Sequence, residues 1–333
     1  MNLRAGSIVY VTIPAAGSIA RRVTILITGE VAPMTGTLLI DVDSTIPNLA
    51  LMHVSTWKKT QGIPCGFRIK DPDEIYASVV FDWNKHKVDG LRFIYPEAKI
   101  NTGGSGISLT TSLPEEVDLM YPDYSLYPGM DYDLGFTSRG CDRGCPFCVV
   151  TRKEGKFRIN QHPKDFHDPS HKSVMLLDNN ILLNKDWFFT VTNWILDEGL
   201  SVDFNQGLDL RLMDPEVAKQ IAKLKPKSYW RFAFDSMSYK DSVVSGLTML
   251  KDAGVNVRHN SMVYVYCDGP EAVPDAVARC NILRDLQVMP YPMFNRHAKR
   301  SKDMTNLKRW ARAWIFFSTG WDDYCAGVRG AKS

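Results

Sequence analysis

From Asp133 to Phe294, short apolar runs alternate with longer stretches of helical periodicity. Ser173–Leu177 (SVMLL), Ser201–Gln206 (SVDFNQ), Tyr229–Phe234, Met262–Tyr266 and Val288–Phe294 carry the near-continuous apolar pattern of strands buried on both faces. Leu134–Thr137 precedes them as a first strand. Between them, Trp187–Glu198, Pro215–Leu224, Lys240–Ala253 and Pro270–Leu286 read as helices, and Asp214 stands where an N-cap belongs. Six β/α steps in succession predict a parallel α/β architecture.

The first third of the chain shows a smaller version of this pattern. Thr37–Val42 (TLLIDV) reads as a buried parallel strand, and Pro47–Gln61 as a helix stopped by Gly62. Ile75–Phe81 and Leu91–Tyr95 are the next predicted strands. The glycines of Asn101–Gly106 read as a turn, with a phosphate cradle as the alternative. These elements predict a small doubly wound α/β domain over residues 37–125. Residues 1–36 form a β-rich extension in which Ser7–Ile13 and Val23–Thr28 are expected as a hairpin added to a sheet edge. Leu113–Asp133, rich in Pro and Tyr, reads as a linker. The β/α domain spans 126–298, and 299–333 is a basic helical segment.

Composition adds bounds. The 333 residues are 44% hydrophobic and 23% charged, with a net charge of +3, as in a soluble globular protein. No stretch is long and apolar enough to span a bilayer, and the N-terminus lacks an apolar core followed by a cleavage site. The expectation is a cytoplasmic, reduced protein with no membrane partner.

The candidate chemistry lies in Gly135–Thr151 (GFTSRGCDRGCPFCVVT). Cys141, Cys145 and Cys148 have the spacing C-x3-C-x2-C, and Gly140 and Gly144 allow tight turns around them. Clustered thiols in a reduced compartment point to a metal centre rather than to disulfides. Zinc completed by His162 or His167 is one alternative, and three cysteines buried as small hydrophobes another. Three thiolates on an iron–sulfur cubane would leave one iron without a protein ligand.

This triplet, with the aromatic Phe147 before its last cysteine, resembles the signature of the radical S-adenosylmethionine (SAM) superfamily. The resemblance implies that Cys141, Cys145 and Cys148 hold a [4Fe–4S] cluster whose open iron binds SAM. It also implies a partial (β/α)6 TIM-like barrel and a reductant protein of flavodoxin or ferredoxin type. Phe147 is expected near the adenine ring, with Val263 and Val265 packing on that ring. Asp178, Asn179 and Asn180 stand where the family carries a Gly-Gly-Glu-like segment facing the SAM amino group; the other reading is an Asx turn. At later strand ends, Gln206, Arg211 and Asp235 are candidates for ligand contact. Arg211 could grip the SAM carboxylate with its fork, or pair with Asp209 or Asp214. An internal ion pair is the other reading of Arg231 and Asp235.

The first domain is similar to the cobalamin-binding modules found ahead of some such barrels. It lacks the D-x-H-x-x-G histidine after its first strand, and His53 falls mid-helix, so the reading is against cobalamin. In the tail, Leu307, Trp310, Ala311 and Trp314 form the apolar stripe of a helix closing the barrel. Lys299, Arg300, Lys302, Lys308, Arg309 and Arg312 give it a basic face, which could instead meet a phosphate-bearing substrate, nucleic acid included. The expected activity is reductive cleavage of SAM to a 5′-deoxyadenosyl radical that abstracts hydrogen from an unknown substrate. The alternatives are a non-catalytic metal module docking nucleic acid through its basic end, or a cobalamin-dependent radical SAM methyltransferase.

Overall fold

The structure, a computed structural model, describes residues 8–13, 21–26 and 36–330. It is a mixed α/β protein built on parallel sheets, and it divides between Tyr127 and Pro128 into two compact units.

In the first unit, β1 (Ile8–Ile13) and β2 (Arg21–Leu26) pair antiparallel as a two-stranded sheet of their own, not as an edge addition. The expected strand residues Ser7, Ile27 and Thr28 lie outside the described residues. β3 (Gly36–Asp41), β4 (Cys65–Gly66), β5 (Pro72–Ser78) and β6 (Lys99–Gly103) form a parallel sheet in the order β4-β3-β5-β6. Alternate residues of a strand face opposite sides of a sheet. Leu39 accordingly meets Leu51 and Val54 of the helix Leu49–Thr60, while Leu38, Ile75 and Ala77 meet Val88 and Leu91 on the other face. Asn48 caps that helix by accepting the Leu51 N–H at 3.2 Å, and Gly62 follows it at φ +74°.

Leu91–Tyr95 is not the third strand. Leu91–Ile94 is a short helix, with Leu91 buried and Phe93 and Ile94 exposed. A short apolar run does not by itself distinguish the two. The pairing position beside β5 goes to Lys99–Gly103, with Glu74 opposite Lys99 and Ser78 opposite Gly103. The glycines after it serve close packing: a Cβ on Gly104 would lie 2.3 Å from the Val79 carbonyl oxygen, and one on Gly106 2.6 Å from the Phe81 carbonyl carbon. Asp43, just after β3, ties this end of the sheet to the chain that follows β5. Its carboxylate accepts the N–H groups of Val80 and Phe81 and the amide of Asn84, at 2.7, 3.0 and 2.9 Å.

The second unit carries β7 (Asp133–Gly135), β8 (Ser138–Arg139), β9 (Arg158–Ile159), β10 (Ser173–Leu176), β11 (Ser201–Phe204), β12 (Lys225–Pro226), β13 (Trp230–Ala233), β14 (Ser261–Cys267) and β15 (Met289–Phe294). β7, β10, β11 and β12 form one parallel sheet, and β13, β14 and β15 another, each in chain order. The fourth strand of the sequence, Tyr229–Phe234, is β13 and pairs forward with β14, whereas the short β12, just before it, bonds back to β11. A single bridge, Leu208 to Phe232, joins the two sheets. Among the described residues the strands do not close into a barrel.

Helices Lys185–Asp197, Pro215–Lys223, Lys240–Asp252 and Val273–Asp285 fall between the strands. Asp214 caps the second by accepting the N–H groups of Glu216 and Val217, at 3.0 and 2.8 Å. Burial alternates along β14: Ser261, Val263, Val265 and Cys267 are buried, whereas Met262, Tyr264 and Tyr266 are partly open. The core lies on the first face and also takes in Met304, Leu307, Trp310 and Ala311 of the helix Lys302–Ala311. Trp314 departs from the expected stripe and is 66% exposed. The helix ends before it, and the 3-10 turn Trp314–Phe317 rotates the chain so that Phe316 goes inward instead.

Candidate metal centre

The cysteine loop leaves the C-terminal side of β7 and returns through β9. Its neck is the antiparallel pair β8 and β9, with Ser138 opposite Ile159. Gly140 makes the first turn at φ +81°, and its α-carbon faces the returning chain so closely that a Cβ would sit 2.1 Å from the Lys156 carbonyl oxygen. The Cys141 N–H donates to the Gly155 carbonyl at 3.1 Å, and the Cys148 N–H to that of Cys145 at 2.9 Å. All three cysteines are free and half-buried.

The segment after β10 clasps this loop. Asp178 is buried and accepts the Thr137 N–H at 3.0 Å and the hydroxyls of Thr137 and Ser138 at 2.6 and 2.5 Å. Burial pushes its carboxyl upward in pKa, opposed by these hydrogen bonds. Asn179 Oδ1 accepts the Gly140 N–H at 2.8 Å. Asn180, 5% exposed, donates through Nδ2 to Cys141 Sγ at 3.8 Å and to Asp209 Oδ2 at 3.1 Å. Its Oδ1 is buried and has no hydrogen-bond partner. Of the three residues expected at the SAM amino group, two therefore hold the loop, and only the third offers a spare acceptor to it.

Asp209 is the meeting point of three donors. Besides Asn180, it receives Arg143 Nε from the loop at 3.0 Å, and Arg211 through Nε and Nη2 at 2.7 and 2.9 Å. Burial alone would raise the Asp209 carboxyl, but the Arg211 hydrogen bonds and the charges of Arg211 and Arg143 hold it below the usual carboxylate range. Burial works against the Arg211 charge, yet the hydrogen bonds to Asp209, its charge and that of Cys145 push this guanidinium further up. Arg211 also stacks on Tyr239, 4.4 Å from the ring centre. Its fork is closed on Asp209, the pairing alternative in the sequence reading.

On the side of Cys148, burial raises the thiol, helped by Cys145, Cys141 and Asp235, while a Val150 N–H at 3.5 Å from Sγ lowers it. Asp235 is part-buried, accepts the Tyr266 N–H at 3.1 Å, and is itself pushed up by burial. It makes no ion pair with Arg231, whose partner is Asp203 on β11. Phe147 is 44% exposed and stacks on Tyr266 with ring centres 4.4 Å apart. Gln206 is exposed and donates to the neighbouring Asn205 at 3.1 Å. Val265 is fully buried in the core, as is Val263, and the side chains of β14 on the open face are Met262, Tyr264 and Tyr266.

The histidines weighed as zinc ligands are engaged elsewhere. His162 caps the turn Pro163–Asp165 and stands edge-on to Trp187 and Trp194. His167 Nδ1 lies 2.6 Å from Asp133. Among the described residues no three His, Cys, Asp or Glu side chains gather as ligands of one metal ion. A cubane cluster takes one thiolate per iron, so its sulfur ligands stand further apart than those of a single ion. Three free thiols on one clasped loop, a backbone N–H on one sulfur and a side-chain amide N–H on another fit such a group.

The basic residues of the tail, Lys302, Lys308, Arg309 and Arg312, lie on the exposed face of the helix Lys302–Ala311 and just beyond its end. Arg312 sits 4.6 Å over Tyr291, and Arg300 5.2 Å over Phe294. Among the described residues no helix is long and apolar enough to cross a membrane. Sequence reading passed over the Arg143–Asp209 pair and the two hydroxyls on Asp178. The D-x-R spacing of Asp209 and Arg211 was the one local signal for the hub. No protein-family model matches the chain, and no curated protein matches it.

Proposed function

We propose that this protein is a radical SAM enzyme, cytoplasmic and reduced by a protein of flavodoxin or ferredoxin type. The carrying observation is Asn180: a buried amide that donates to Cys141 Sγ and leaves its oxygen without a donor. A buried acceptor without a partner costs roughly 1–3 kcal/mol. A cationic donor arriving beside the cysteine sulfurs, such as the SAM ammonium group, relieves that cost.

Strands β7 and β10 to β15 are assigned to a partial (β/α)6 barrel. The support is their parallel, chain-order succession and the bridge from Leu208 to Phe232. The cysteine loop, Asp178–Asn180, Asp209, Asp235 and Tyr266 then share the C-terminal side of the strands, where chemistry collects in such folds.

Cys141, Cys145 and Cys148 would hold a [4Fe–4S] cluster. When bound, the cluster with SAM supplies the electron that breaks a carbon–sulfur bond and releases the 5′-deoxyadenosyl radical. The chain supplies position and charge. Asp178 and Asn179 fix the loop from the side of β10. Asp209 holds Arg143 and Arg211 in place and leaves Arg211 Nη1 outside the bidentate pair. That nitrogen is the donor available to a carboxylate. Phe147 and Tyr266 present an aromatic surface beside the loop for a flat ring. Leaving cobalamin out is supported by the segment Asp41–Ile46 at the end of β3, which carries no histidine.

Anaerobic reconstitution of the full chain should load about four irons and four sulfides per protein, as the cluster type requires. A broad visible absorption should accompany the iron and be lost in Cys145→Ala. SAM with a strong reductant should then release 5′-deoxyadenosine. A loaded protein that releases none is not this enzyme.

A further inference from the structure

Hydrogen bonds donated to cysteine sulfurs help set the reduction potential of an iron–sulfur cluster, along with charge and solvent exposure. Two donors reach the sulfurs of the loop. One is the Val150 N–H on Cys148, fixed by the backbone. The other is the Asn180 side chain on Cys141, fixed by a network that the sequence separates widely.

Asn180 is held at both ends of its reach. The backbone leaves β10 within a segment anchored by Asp178 on Thr137 and Ser138. The same Nδ2 that faces Cys141 is tied to Asp209 Oδ2, and Asp209 is fixed in turn by the Arg211 fork. The amide therefore has neither the room nor the bonding freedom of a surface side chain. Loop folding alone does not call for it, because Asp178 and Asn179 already bind the loop backbone.

We infer, resting on the cluster assignment above, that Asn180 is a positioning residue that sets the cluster's reduction potential through the sulfur of Cys141, with Asp209 as its fixed point. In the couple concerned, one electron passes from the reductant to the oxidised cluster, and no proton or bond is exchanged. Added electron density on the cysteine sulfurs strengthens a hydrogen bond donated to them, so the amide favours the reduced side. Its removal lowers the potential and makes the first electron harder to deliver. Asp209 keeps the donor aimed, and its two arginines offset its own negative charge.

The test is a titration of the reconstituted full-length protein with titanium(III) citrate, each titanium(III) giving one electron and ending as titanium(IV). The reduced cluster is followed by electron paramagnetic resonance. Asn180→Leu keeps the shape and removes the donor; Asn180→Ala removes it without risk of overpacking. Iron and sulfide content is measured first in each protein. The expected result is a normal cluster content with the midpoint shifted to lower potential in both variants. Wild-type midpoints in loaded variants overturn the inference and leave the enzymatic reading standing. Loss of the cluster from both variants also overturns it, because Asn180 would then serve assembly rather than potential. A wild-type chain that loads no cluster at all removes both.

Discussion

Arg143, inside the cysteine loop, donates its Nε to Oδ2 of Asp209 at 3.0 Å, across 66 residues of sequence. The carboxylate on which it closes also holds Arg211 and Asn180. One acidic side chain therefore ties the loop to the ends of two successive strands.

Replacing Asp209 with Ala should free all three donors. A hydrogen bond to a charged group is worth about 2 kcal/mol, and the variant should lose roughly that much stability in urea unfolding. Trypsin should cut after Arg143 faster than in the wild type. Because the Asp209 carboxyl is held below its ordinary range in the fold, its stabilisation is present above the unfolded value of about 3.9. It is lost as pH falls through the lower folded value. The gap between wild type and Asp209→Asn should thus be constant near neutrality and shrink in acid.

Gly140 and Gly144 both have positive φ, but only Gly140 is crowded. Gly140→Ala places a methyl group on the Lys156 carbonyl, so the loop neck must open. The expected cost exceeds the ~1–2 kcal/mol of a left-handed residue alone, and iron retention should fall sharply. Gly144→Ala meets open space and should cost only the conformational part. Chemical denaturation and iron analysis of the two variants give the comparison.

Asp235 carries the opposite sign to Asp209. Burial raises its carboxyl, so ionising it opposes the fold at neutral pH. Asn at this position can still accept the Tyr266 N–H. Asp235→Asn should melt higher than wild type at pH 7. The difference should vanish below the ordinary aspartate value of about 3.9, where the native residue is protonated in both states. Equal melting temperatures at pH 7 would show that this carboxylate is not under strain.

The cysteines should separate by reactivity in the metal-free protein. Cys141, Cys145 and Cys148 are half-buried and free. Cys267 and Cys280 have no exposed surface, and burial drives the Cys280 thiol to about 12. At pH 8 a maleimide, read by mass spectrometry of peptides, should modify the loop trio and spare the buried pair until the protein is unfolded. Cluster loading should then protect the trio. Protection of Cys65 in its place would move the centre to another part of the chain.

The β/α alternation was legible because the strands carry near-continuous apolar runs, even where, as in β14, only one face is fully buried, and because Asp214 marks a helix start by its chemistry alone. Leu91–Tyr95 misled because its apolar side chains do not share one environment: Leu91 enters the core while Phe93 and Ile94 face solvent. Trp314 misled because the helical period stops at residue 311, a stop with no proline or glycine to announce it. Within β14, an apolar run gives no clue to which parity faces the helices, so Val265 read as a ligand contact although Tyr264 and Tyr266 hold the open face. The polar triplet Asp178–Asn180 was visible as a strand end. Which of its atoms stays unpartnered depends on Thr137, Ser138, Gly140 and Asp209, and no local pattern encodes that.

The break between Pro226 and Trp230 gives the second unit a seam. On either side the ladders run unbroken, but across it the stitching is one bridge, Leu208 to Phe232, beside the short pairing of β11 with β12. Amide exchange should begin along this line, at Leu208 and Lys227, before it reaches the centre of either sheet. Asp209, Arg211 and the cysteine loop are tied to one another by side-chain bonds that do not depend on that bridge.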